Sequence, residues 1–122
     1  MIMNRRELEK KLAPITSELL NEKGFINLID VFIGLGYLSK NDVEEWRMKR
    51  IPYLEKGIKI NLSKISFISK IVIENCKNGN LRESYTAYKS WGKGKKINLR
   101  FSKSGHPTIE AAYSTHFLKP KI

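Results

Sequence analysis

The chain has 122 residues, 41% of them hydrophobic, a length and composition that fit one folded domain with its own core and exclude a disordered chain. Its 23 Lys+Arg against 12 Asp+Glu leave a net charge of +11, which points to a polyanionic partner: nucleic acid, an acidic membrane surface or an acidic protein. Cys76 is the only cysteine, which excludes an internal disulfide and any Cys/His set with zinc spacing, so no metal or cofactor is expected and a reducing cytoplasm is the expected compartment.

Residues 4–23 read as a helix, because Leu8, Leu12, Ile15, Leu19 and Leu20 recur at spacings of three and four. Pro14 predicts a kink or a division into two short helices, and Gly24 a stop. This helix can cover its own core or pair two chains into a homodimer. A helical core is expected over 25–79. Asn27 can cap an apolar helix from about 28 to 35, and Ser39 can cap a third from about 40 to 50, with Val43 and Trp46 facing inward. Pro52 opens a longer helical run to about residue 78, bent near Gly57 or Asn61, with Leu62, Ile65, Ile68, Val72 and Cys76 as its main stripe.

The period then changes from 3.6 to 2. "ESYTAYKSW" and "KKINLRFS" alternate around "GKGK", which predicts a basic β-hairpin over 84–103. Ile97, Leu99 and Phe101 should pack, while Asn98, Arg100 and Ser102 stay wet. Pro107 opens a last helix over 107–118, with Ile109, Ala112, Tyr113, His116 and Phe117 on one stripe; the tail "LKPKI" should fray. The fold class is therefore mainly α with a small antiparallel β-hairpin (α+β), in a winged-helix-like order of elements.

The N-terminal sequence "MIMNRRELEKKLAPI" lacks the apolar core of a secretory signal, and the longest apolar stretch, "FINLIDVFIGLGYL", is too short to span a bilayer. No membrane partner is expected. The basic excess is uneven. Residues 1–76 hold 13 basic and 10 acidic side chains, a net of +3; residues 77–122 hold 10 and 2, a net of +8. Compositional bias, with 17 lysines and 15 isoleucines, can supply lysines in number but does not explain the scarcity of acids after residue 76.

The candidate nucleic-acid contacts follow from that excess. Lys89, Lys93, Lys95, Lys96, Arg100 and Lys103 are expected on phosphates, and Gly92 and Gly94 allow a tight backbone turn beside them. Tyr85, Tyr88 and Trp91 offer flat faces for base stacking. Arg47, Lys49 and Arg50, at the far end of the third helix, are secondary phosphate contacts. The start of that helix carries Asp42, Glu44 and Glu45, which a phosphate-lined groove would repel, so it does not read as a recognition helix. No P-loop, G-x-S-x-G or H-E-x-x-H spacing occurs. His106 precedes a helix and His116 sits on an apolar stripe; together they permit a histidine-dependent nuclease only as a minor alternative to a non-catalytic protein.

The segments "LGYLSKNDVEEWRMKRIPYLE", "NLSKIS", "YKSWGKGKKINLRFSKSG" and "IEAAYSTHF" together resemble a family of small uncharacterised bacterial proteins, over about residues 25–117. The resemblance implies a stable bacterial domain and supplies no activity or site residues. Two function classes remain. One is a non-catalytic binder of DNA or RNA. The other is an accessory or inhibitor that docks on an acidic protein or occludes a nucleic-acid-handling machine, as a mobile-element inhibitor of an RNA-guided nuclease would.

Overall fold

A computed structural model of the chain describes residues 4–120. The three residues that precede the expected N-terminal helix and the last two of the tail lie outside that range. Among the described residues there are five α-helices, one 3-10 turn and a three-stranded antiparallel sheet, so the α+β class holds. No helix among them is long and apolar enough to cross a membrane.

Helix α1 (Arg5–Glu22) begins where the Asn4 side chain accepts a hydrogen bond from the Glu7 N–H at 2.9 Å. It buries Leu8 and Leu12. Pro14 does not divide it. Pro14 and Lys10 both face solvent, so water can satisfy the Lys10 carbonyl that has no helical donor. At the other end Gly24, with φ of +82°, donates to the Leu19 and Leu20 carbonyls and turns the chain into strand β1 (Phe25–Ile26).

Asn27 caps α2 (Leu28–Gly34) and Ser39 caps α3 (Lys40–Arg47), as the sequence predicts. The Ser39 hydroxyl both accepts from the Asp42 N–H and donates to the Asp42 carboxylate. The long run after Pro52 is not one bent helix. It is a 3-10 turn (Leu54–Gly57) followed by α4 (Leu62–Asn78), which Asn61 caps through the Lys64 N–H. The expected bend points are thus element boundaries. Leu62, placed on the core stripe by its spacing, is 62% exposed; the stripe that packs is Ile65, Ile68, Ile71, Val72 and Cys76.

The β component is antiparallel but is made of other residues than expected. Strand β2 (Arg82–Tyr85) does not pair with 96–102. It pairs with β3 (Thr115–Leu118), which also pairs with β1, giving the order β1-β3-β2. Glu83 and Ile26 both stand opposite Phe117. The 84–103 hairpin shrinks to one isolated bridge, Lys89 with Asn98, so no two-stranded wing forms. The last helix, α5 (Pro107–Ser114), correspondingly ends four residues early. Thr115 leaves the helix with its hydroxyl on the Ala111 carbonyl at 2.7 Å, and residues 115–118 find ladder partners on both sides. Leu118, expected to fray, is opposite both Phe25 and Arg82.

One apolar cluster runs from Leu8 to Phe117 and takes in residues of every helix. Trp46, Phe32, Leu54 and Tyr113 are among its most deeply buried side chains.

Candidate nucleic-acid interface

The lysine-rich segment is an irregular loop whose base is fixed by aromatic packing and whose tip stands in water. Trp46 of α3 is the anchor. Its indole N–H donates to the Arg100 carbonyl at 2.8 Å, and its ring lies 5.2 Å from Phe101 and 5.8 Å from Tyr88. Phe101 in turn stacks on Tyr113 of α5 at 5.2 Å, nearly parallel, and meets the edge of Tyr88 at 5.4 Å. Each of these rings comes from a different part of the chain, so the loop cannot shift without disturbing the core.

Hydrogen bonds fix the backbone at the same level. The Leu99 N–H donates to the Tyr88 carbonyl, the Ser90 N–H to the Ile97 carbonyl, and the Ile97 N–H to the Ser90 hydroxyl. The Glu55 N–H donates to the Phe101 carbonyl. Glu110 of α5 accepts the N–H groups of Phe101 and Ser102 at 2.9 and 2.8 Å and the Ser102 hydroxyl at 2.6 Å. That clamp explains why Ser102, expected on the wet side, is buried. Ile97, expected to pack, is 45% exposed because it lies past the last core layer, at the edge of the tip. Phe101 packs as expected and Leu99 does so in part.

Above this base, residues 92–96 form the tip. Gly92 and Gly94 hold φ of +94° and +93°, where any side chain is strained, and the Lys96 ammonium folds back on the Gly92 carbonyl. Lys89, Lys93, Lys95, Lys96, Arg100 and Lys103 are all exposed. The ion pairs among the described residues are Arg5 with Glu9 and Glu74, Lys23 with Asp30, Arg50 with Glu45, and Lys59 with Asp42. None involves the six cations of 89–103. Arg100 instead lies over the Tyr53 ring at 5.7 Å.

Three expected site residues are placed differently. Tyr88 is 8% exposed, with its ring in the core and its hydroxyl 2.7 Å from His116 Nε2, so its face is closed to a base. Burial pushes its pKa up to about 12, with Asp30 adding to the shift and Arg47 opposing it. Arg47 is a brace rather than an open cation. Its guanidinium sits 4.7 Å from the Tyr88 ring, 5.1 Å from Trp91 and 5.8 Å from Trp46, and donates to the Lys89 carbonyl at 2.7 Å. Desolvation lowers its pKa from the usual arginine value. Arg50 is bridged to Glu45 at 3.0 Å, whereas Lys49 is exposed. Trp91 and Tyr85 remain open, Trp91 at 47% exposure beside the tip.

The histidines are both engaged in structure. His106 caps α5, its Nδ1 accepting the Thr108 N–H at 3.2 Å. His116 stacks on Phe25 at 4.5 Å while bonded to Tyr88, and burial lowers its pKa. Cys76 is buried, and desolvation raises its thiol to about 12, so it is no ready nucleophile. Among the described residues no group of three or more His, Cys, Asp or Glu is placed to hold a metal ion. Tyr113 donates to Glu55 at 2.8 Å, and burial holds the Glu55 carboxyl above its ordinary range against that bond.

The positioning residues Trp46 and Glu110 do not stand out in the sequence as parts of the loop. Trp46 reads there as a core residue, and its reach to Arg100 spans 54 positions. Nothing in the spacing of Glu110 signals that it holds two backbone N–H groups. Comparison with protein-family models, with curated proteins and with solved structures gave no match for this chain. The functional reading rests on its own residues.

Proposed function

We propose that this protein is a small, non-catalytic nucleic-acid binder whose main contact is the phosphate backbone, held by Lys89, Lys93, Lys95, Lys96, Arg100 and Lys103. One observation carries the reading: six exposed cations, without a carboxylate partner among the described residues, stand on a loop whose base is locked to the core. Unpaired charges add their fields toward solvent, and a fixed base lowers the ordering cost of contact. Lys49 extends the basic surface, and Trp91 supplies the aromatic face beside it.

The test is the salt dependence of binding. Fluorescence anisotropy with labelled single-stranded DNA, duplex DNA and RNA gives log K against log salt for the parent and for Lys93→Ala/Lys95→Ala/Lys96→Ala. The slope should fall by about 0.7–0.9 for each phosphate that is no longer neutralised. Equal slopes for parent and triple variant remove the loop from the interface.

A second reading, a protein-docking accessory or inhibitor, is favoured by the groove between α4 and α5. It measures about 650 Å3 and is lined by Leu62, Ile65, Ile109 and Ala112, with Lys103 at its rim. A stoichiometric protein complex that survives high salt, where phosphate contacts fail, would support this reading over the first.

A further inference from the structure

Resting on the nucleic-acid reading, we infer that the partner strand is unpaired, and that one of its bases leaves the phosphate track to enter a cleft beside Trp91. The cleft lies where α2, α3 and β3 meet the base of the loop and has a volume of about 440 Å3. Trp91, Arg47, Tyr88, His116, Thr86 and Asp30 are among the residues that line it.

Three features select a nucleobase. The first is shape. Binding clefts for small groups span roughly 300–1,000 Å3, so this one holds a nucleotide-sized group and not a duplex. The second is the wall chemistry. Trp91 is half-exposed with the Arg47 guanidinium 5.1 Å from its ring centroid, and the same guanidinium lies 4.7 Å from Tyr88. An exposed indole is a surface on which unstacked bases settle, and Arg47, engaged with three rings and the Lys89 carbonyl, holds that indole in place. Thr86 and the Lys23–Asp30 pair, joined at 2.9 Å, add polar side chains to the lining for the edge of a base, which in a duplex is already paired.

The third feature is continuity. Trp91 is at once a wall of the cleft and the residue just before the lysine tip. Its backbone N–H is fixed to the Arg47 carbonyl at 2.7 Å. A strand whose phosphates lie on Lys93, Lys95 and Lys96 therefore has a base within reach of the indole. The cleft itself mixes charges, with Lys23, Lys40 and Arg47 against Asp30 and Glu44. It is a poor site for a bare phosphate, which assigns the anion to the tip and the ring to the cleft.

The experiment compares three oligonucleotides of equal length and salt: an unpaired strand, the same strand with abasic sites, and its duplex. Tryptophan emission is the direct signal, since Trp46 is buried and Trp91 is the exposed one of the two. The unpaired strand should quench emission and bind about five- to a hundredfold more tightly than the abasic strand. Trp91→Ala should abolish that preference while leaving the salt slope unchanged, and Trp91→Phe should restore part of it. Duplex bound as tightly as single strand, with no quenching, overturns the inference; so does equal weakening of intact and abasic strands by Trp91→Ala. In either of those cases a salt slope still sensitive to the tip lysines leaves the phosphate reading standing. Absence of binding to all three probes overturns both.

Discussion

Helix α1 and the loop 89–103 are both densely charged, and they place their charges in opposite ways. Helix α1 carries Arg5, Arg6, Lys10 and Lys11 among Glu7, Glu9, Glu18 and Glu22, a net of zero. Arg5 bonds to Glu9 within the helix at 2.8 Å and to Glu74 of α4 at 2.9 Å. The loop carries six cations and no acid. In α1 the charges solvate the outer face of a helix held by Leu8 and Leu12. In the loop the apolar anchors and the charges are separated along the chain, with Tyr88 and Phe101 at the base and the lysines of the tip between them. The lesson is that a lysine count says little by itself. What distinguishes the loop is a local excess without counter-charges on backbone whose base is bonded to the core.

Removing the loop's anchor should have the largest effect. Trp46→Ala deletes a fully buried ring together with its hydrogen bond to Arg100, and should cost about 3–5 kcal/mol. Urea denaturation measures this as a lower midpoint. An unchanged midpoint would show that the loop is not anchored through Trp46. The next effect is more local. Glu110→Ala strands the N–H groups of Phe101 and Ser102, at a cost of about 1–3 kcal/mol. Hydrogen exchange should quicken at those two amides while α1 keeps its protection. Uniform quickening across α1 as well would place Glu110 in the global core rather than in the loop clamp.

A third test uses pH. Burial lowers the His116 pKa, with Lys23 adding to that shift and Asp30 opposing it, so the folded protein favours the neutral ring. The unfolded chain takes up its proton near the ordinary value of about 6.5. Stability should therefore be unaffected by this group above that pH and should decline as pH falls from there through the lower folded value. Thermal unfolding from about pH 7.5 to about pH 5 should show that decline, and His116→Gln should flatten it. A decline of the same size in the variant would assign it to other groups.

How far the sequence discloses this arrangement depends on how local each cause is. The caps at Asn27 and Ser39 and the stop at Gly24 act within a few residues, and each lies where spacing predicts. The 115–118 strand is hidden because two periods coincide there. His116 and Phe117 complete a helical stripe from Ile109, yet Thr115 and Phe117 also alternate as a strand with one face buried. Its sheet partners, Arg82–Tyr85 and Phe25–Ile26, decide the outcome, and no short window of the sequence contains them. The same holds for the loop: its charge excess is legible at a glance, but its rigidity comes from Trp46, Glu55 and Glu110, which lie outside it. Tyr88 illustrates the cost of reading residues singly, since an aromatic among lysines looks open to a base until its partners in the core are placed.

The smallest expected effect is the sharpest control on charge placement. Lys10 and Lys11 of α1 are exposed and, like the tip lysines, have no ion-pair partner among the described residues. They differ in their surroundings, because Glu7 and Glu9 lie within one helical turn. Lys10→Ala/Lys11→Ala should change stability by no more than about 0.5 kcal/mol. It should also leave the salt slope of nucleic-acid binding where it was, whereas Lys93→Ala/Lys95→Ala should lower it by about 0.7–0.9 for each phosphate released from a lysine. Both pairs remove the same two charges from the whole molecule. If the slopes fall equally, binding follows net charge and the loop has no special part in it. If only the tip pair matters, what the polyanion meets is the uncompensated field of a fixed loop, and the distinction between α1 and 89–103 is a functional one.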